Sequence, residues 1–273
     1  MDEHLFQTLK DIKTNKYQID SSQAESLIDE ILPFIGDEDP EVRDRTVYGM
    51  LAHLFHDKHL SEERLTYYLR LLISDQFLFY DMGNHIPYSV LKRSFTVLQF
   101  VIIVYVHRRD NIISHEDIQA LYEAFIKYFE EEKILIGYEE PIGWMHSVAH
   151  SADLFAQLMQ VSWFEKDQLL TMFHLIAKKI KIDHYLYISN EDERMVVAIK
   201  KGLDQKKLSN EEILQWLDLF LLEEVPEDYL TKSTLVNNIK HLLSALYFTC
   251  INDESYSFIT HRISEIILHN KTK

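Results

Sequence analysis

The chain has 273 residues, 47% of them hydrophobic, enough to bury a core and to exclude a disordered polymer. Its 28 Lys and Arg stand against 44 Asp and Glu, a formal net charge of -16, which opposes nonspecific attraction to nucleic acid or an anionic membrane. The single cysteine, Cys250, excludes an intramolecular disulfide framework and any multi-cysteine metal cluster, and a reducing cytoplasm is expected.

The opening MDEHLFQTLKDIK is acidic and amphipathic, without a basic n-region, an apolar h-region or a small-residue cleavage site, and it predicts a helix over 3–14 with no export signal. Ser22 with Glu25 starts a helix over 22–35, and Asp39 before Pro40 starts one over 40–57. The stretch DEDPEVRDRTVYGMLAHLF resembles the second helix of a HEAT-type repeat, in which Asp-Pro begins the helix and a Val-Arg pair follows. His53, His56 and His59 cluster near its end, where a cation complements the helix dipole. Helices follow over 61–73 and 87–108. Within the second, FTVLQFVIIVYV (Phe95–Val106) is too short to cross a bilayer, which needs roughly 20 apolar residues, and it reads as a central buried helix.

Ser114 with Asp117 caps a helix over 114–131, and further helices are expected over 143–161 and 164–181. Lys178, Lys179 and Lys181 suit the C-terminus of the latter. The last four run over 190–202, 209–222, 228–250 and 254–269, with Ser209 and Glu212 at capping-box spacing. No strand pattern is found. The connections 74–86 and 132–142 are too apolar to be flexible tethers, and their aromatics, such as Phe77–Tyr80, suit a core or a binding surface. Short connections between so many helices predict an all-α fold: one domain over 1–273, an irregular α-solenoid (a HEAT-like α-α superhelix) of about twelve helices without a fixed sequence period.

The segment GWMHSVAHSADLFAQLMQ (Gly143–Gln160) carries the candidate site. On a helix, His146, His150, Asp153, Gln157 and Gln160 share one face, opposite Trp144, Val148, Ala152, Phe155 and Met159. Such a stripe is either the polar side of a packed helix or a site. Asp153 is the only formal charge from Gly143 to Phe164, and Ser147, Ala149 and Ser151 would let a neighbour come close. The stripe is therefore expected to face a groove or a semi-buried polar layer, with Asp153 holding the His150 imidazole by its N–H. His146 and His150 have the i, i+4 spacing of two helical zinc ligands, but Ser147 stands where H-E-x-x-H has its glutamate, so a divalent metal would need a ligand from another helix. No nucleophile accompanies them: Cys250 in ALYFTCI reads as core, and G-x-S-x-G and Gly-rich phosphate loops do not occur.

IGWMHSVAHSADLFAQL resembles the G-W-x-H-x-x-A-H-x-A-D-L signature of the bacterial domain of unknown function 2785 family. KRSFTVLQF (Lys92–Phe100) is similar to that family's R-S-F-x-x-L segment, and NEDERMVVAI (Asn190–Ile199) to its later acidic-Arg stretch. The three lie in the expected order. The resemblance implies a helical, HEAT-like protein without an assigned activity, and points to Arg93, Trp144, His146, His150 and Asp153 as its motif positions. With Gln157 from the stripe, these are the candidate ligand-binding residues. The favoured expectation is a cytoplasmic helical-repeat scaffold with a His/Asp-lined groove for a protein, peptide or small molecule, cationic sooner than anionic, with no nucleic-acid or membrane partner. The alternative is a metal-dependent hydrolase using a divalent metal on the His146/His150 pair.

Overall fold

The computed structural model describes residues 1–57, 59–83 and 86–273. Residues 84–85 of the expected 74–86 connection lie outside the described residues. The chain divides into two compact units, Met1–Leu154 and Phe155–Lys273. Among the described residues both are mostly helical, with negligible strand.

The first unit opens with α1 (Glu3–Thr14) and α2 (Ser21–Ile31), each started by an aspartate that accepts an orphan backbone N–H: Asp2 from Leu5, Asp20 from Ser22. Asp20 rather than Ser22 caps α2, because the residue before the first helical turn is the one in extended conformation. The expected 40–57 helix is composite. Asp39 caps α3 (Pro40–Val42), a π-helical turn spans Arg43–Tyr48, and α4 (Gly49–His56) completes it. The π turn carries Arg43, Thr46 and Val47 inward.

Next come α5 (Glu62–Leu72), α6 (Ser89–Asp110) and α7 (His115–Glu131). The Ser114 cap on Asp117 forms as expected. Helix α6 is long and apolar enough to cross a membrane, yet 78% of its most apolar 18-residue stretch is buried inside the fold, as in a core helix. Phe95, Val97, Phe100, Ile103 and Val104 are among its buried side chains, each contributing roughly 1.5–3 kcal/mol on burial. A loop comes very close to it: a Cβ on Gly36 would lie 2.5 Å from the Lys92 backbone, so only glycine fits there. Where no strand was expected, the 132–142 connection forms one arm of a small hairpin, β1 (Tyr138–Glu139) paired with β2 (Gly143–Trp144), and α8 (Ser147–Leu158) crosses into the second unit.

The second unit continues through α9 (Lys166–Ile180), α10 (Glu191–Asp204), α11 (Asn210–Asp218), α12 (Tyr229–Cys250) and α13 (Ser257–Asn270), the last preceded by a 3-10 turn over Glu254–Tyr256. Two buried asparagines tie its loops. Asn238 bonds the Tyr187 N–H and the Ile182 and Tyr185 carbonyls; Asn270 bonds the Leu222 N–H and the Phe220 carbonyl. In both units alternate helices pack together: α2 on α4, α4 on α6 and α5 on α7 in the first; α9 on α11, α10 on α12 and α11 on α13 in the second.

The capping box at the start of α11 forms in both directions between Ser209 and Glu212. The Ser209 N–H, Lys166 and the Ser209 hydroxyl together lower the Glu212 carboxyl from the ordinary 4.5 to about 2. A depressed carboxylate stabilises the fold above 4.5, and that contribution is lost as pH falls through about 2. The expected result is that the urea-midpoint difference between wild type and Glu212→Ala, present at neutral pH, shrinks as pH falls from 4.5 toward 2. A difference that stays constant over that window would assign the effect to packing instead.

Candidate functional site

The motif segment is not helical throughout. Gly143 has φ +83° and His146 φ +48°, both left-handed, so no helix can run from 143. The Met145 and His146 N–H groups instead donate to the Gly137 carbonyl at 2.8 and 3.3 Å, and Tyr138 pairs with Trp144 and Glu139 with Gly143. The expected helix over 143–161 therefore begins at Ser147. The His146 carbonyl accepts its first bond, from the His150 N–H at 2.8 Å.

This changes where the side chains meet. Trp144, expected opposite the histidines, stacks on His146 with ring centroids 4.4 Å apart and planes within 6°. A tight turn separates the two residues in place of a helical step, and it folds the indole over the imidazole. Tyr138 meets Trp144 edge-on at 4.7 Å. Behind His146 lies His150, 5.5 Å away and tilted by 59°, and His150 packs edge-on against Phe95 of α6 at 5.1 Å. The Arg43 guanidinium sits 5.0 Å from the Phe95 ring. A column of rings thus runs from the surface inward.

Exposure falls steeply along it. Tyr138 and Trp144 are 46% and 44% exposed, whereas His146 and His150 are 8% and 5% exposed. The histidines form a buried polar layer, and the surface belongs to the two aromatics. His150 Nδ1 lies 3.2 Å from the Ser94 carbonyl. A carbonyl only accepts, so in the neutral ring the proton sits on Nδ1 and the lone pair on Nε2. Ser147 and Ser151, expected to admit a neighbour, are buried: the Ser147 hydroxyl donates to the Ile134 carbonyl at 2.5 Å, and that of Ser151 to the Ser147 carbonyl at 2.6 Å.

Arg43 anchors the hairpin. It is wholly buried and donates to the Asp37 carbonyl at 2.8 Å, Glu38 at 3.3 Å, Ile142 at 2.9 Å and Trp144 at 3.5 Å, while its Nε meets Asp44 at 2.7 Å. Burial nonetheless holds the Asp44 carboxyl above its ordinary range, outweighing the attraction of Arg43.

The remaining candidates are placed as follows. Asp153 is half-buried on α8, and Gln157 is half-buried on the same helix but belongs to the second unit. Arg93 has a separate place. It is 2% exposed and grips Glu132 by two contacts, Nε to Oε2 at 2.7 Å and Nη2 to Oε1 at 3.1 Å. Its Nη1 donates to the Tyr80 carbonyl and the Ser89 hydroxyl, both at 2.9 Å. Glu132 also accepts the Ile134 N–H at 2.9 Å, so this pair secures the connection leading to the hairpin. Among the described residues no group of three or more His, Cys, Asp or Glu could hold a metal ion. Burial pushes the Cys250 thiol up to about 11, which keeps it protonated at neutral pH.

Arg43, Tyr138, Phe95 and Glu132 are the site residues that sequence reasoning missed. Signals existed: the Val-Arg pair after Asp-Pro marked Arg43, and Gly137 and Gly143 bracketing Pro141 are a turn signature.

A family model described as protein of unknown function (DUF2785) matches residues 78–248, which include Arg93, Glu132, the hairpin and the two histidines but not Arg43. No curated protein and no solved structure matches the chain.

Proposed function

The chain belongs to the DUF2785 family, and from that premise we propose that it is a binding protein whose Trp144 face receives a ligand or a partner protein. The observation that carries the reading is the contrast within one short hairpin: an indole left 44% exposed on a backbone held by a fully buried arginine and backed by the stacked His146 imidazole. Large rigid aromatics that keep their surface open lose little entropy on contact and recur as anchors of binding interfaces. His146 supports the indole from behind, His150 backs His146, and Asp153 lies half-buried further along α8.

The finer architecture belongs to the same proposal. Packing of alternate helices within each unit is the neighbour relation of stacked helix pairs, and it supports an irregular HEAT-like solenoid as the scaffold. We take the cytoplasm as its location, on the single cysteine, which allows no intramolecular disulfide. The second reading, a metal-dependent hydrolase on the His146/His150 pair, draws on the closeness of the two rings, but it is the weaker because no third donor joins them among the described residues.

The test is a thermal-shift screen of wild type and Trp144→Ala against a panel of small molecules and short peptides. Trp144→Ala is expected to melt close to wild type and to lose the ligand-induced shift by about tenfold or more in affinity. A panel without ligands, or ligands that bind both proteins equally, would overturn the reading.

A further inference from the structure

We propose that the hairpin tip is a receptor for an arginine- or lysine-bearing segment of another protein, with the cation placed on the Trp144 ring; the proposal rests on the binding role given above. The tip, Tyr138-Glu139-Glu140-Pro141, is exposed throughout, and Trp144 returns beside Tyr138 on the paired strand. Among the described residues neither Glu139 nor Glu140 has an ion-pair partner, although the Tyr138 hydroxyl reaches the Glu140 carboxylate at 3.4 Å. Two partly exposed aromatic rings, Tyr138 and Trp144, and two carboxylates therefore share one short hairpin.

Electrostatics near it point the same way. Arg43 is bonded on one side to the Asp37 and Glu38 carbonyls and on the other to Ile142 and Trp144, so the acidic turn Asp37-Glu38-Asp39 adjoins the hairpin. Glu38 and Asp39 are exposed, while Arg43 itself is buried and engaged by carbonyls and by Asp44. An indole face attracts a guanidinium or ammonium through its quadrupole, and flanking carboxylates add charge. The net charge of -16 steers a basic segment toward the surface and repels a second copy of the chain.

The experiment measures anisotropy of a fluorescein-labelled hexa-arginine peptide, with hexa-glutamate and an uncharged Gly-Ser peptide for comparison. The proteins are wild type, Trp144→Ala, the double variant Glu139→Gln/Glu140→Gln, and a second double variant, Glu62→Gln/Glu63→Gln, at the exposed start of α5. The two double variants remove equal charge, so they separate a local receptor from the field of the whole molecule. Trp144→Ala and the hairpin pair are each expected to weaken hexa-arginine binding by about tenfold or more, and the α5 pair by less than about twofold. Equal losses from both double variants with none from Trp144→Ala, or no hexa-arginine binding, would overturn the proposal. A sedimentation shift of wild type to a dimer, abolished by Trp144→Ala, would overturn it in favour of self-association. The hairpin pair reads the charge contribution even where Trp144→Ala alters folding. Where hexa-arginine fails but another panel ligand still loses affinity on Trp144→Ala, only the cationic partner falls; where no ligand depends on Trp144, the binding role falls with it.

Discussion

Arg93→Ala is expected to destabilise the first unit by about 3–5 kcal/mol. The magnitude follows from burial. Arg93 and Glu132 are 2% and 3% exposed, and together they satisfy each other through two contacts, with the Tyr80 carbonyl, the Ser89 hydroxyl and the Ile134 N–H taking up further donors and acceptors. Removing the guanidinium leaves the buried Glu132 carboxylate without the cation that offsets its charge. Arg93→Lys should recover little, because one ammonium cannot reproduce a planar fork meeting two carboxylate oxygens. The double change Arg93→Met/Glu132→Leu should cost far less than either single truncation, since it removes both desolvation penalties at once. Urea denaturation of the three variants checks this, and a loss below about 1 kcal/mol for Arg93→Ala would show that water reaches the pair.

Arg43→Ala is expected to cost about 2–4 kcal/mol and to free the hairpin. The side chain is wholly buried, and its removal leaves the Ile142 carbonyl, 2.9 Å away, without its donor in a buried site and strips donors from Asp37 and Glu38 as well. It also takes the cation from beside Phe95, the ring that His150 packs against. Stability and site are thus coupled through one residue. Hydrogen exchange at Gly137–Trp144 should speed up in the variant, and Trp144 emission should shift to the red as the stack on His146 loosens. Arg43→Lys keeps the charge but loses the fork, and should sit between alanine and wild type. Unchanged exchange in the hairpin would mean that Arg43 does not hold it.

Helix starts were legible because capping is a local event. Ser114 on Asp117, Asp39 before Pro40 and the Ser209–Glu212 box each need only a few consecutive residues. The family was legible for a related reason: its signature lies within single segments, and those segments fall inside the matched region 78–248. The hairpin was not. Two strands of two residues are too short to show alternation, and a Trp-Met-His run looks apolar and helical until Gly143 and His146 adopt left-handed φ. Once they do, the expected sides exchange, and Trp144 joins the histidines it was set against.

By itself the sequence determined a helical, acidic, single-cysteine chain, most of its helix boundaries, its family, and the pairing of His146 with His150, which survives because the His150 N–H still bonds the His146 carbonyl. Tertiary structure alone decided that the histidines are buried while Trp144 and Tyr138 reach the surface, and that Arg93 and Arg43 serve as anchors. Those outcomes depend on partners distant in the chain, Glu132 for one arginine and the Ile142 and Trp144 carbonyls for the other. The cost of burying a charge is repaid only where such distant groups converge, and no local pattern of residues records that convergence.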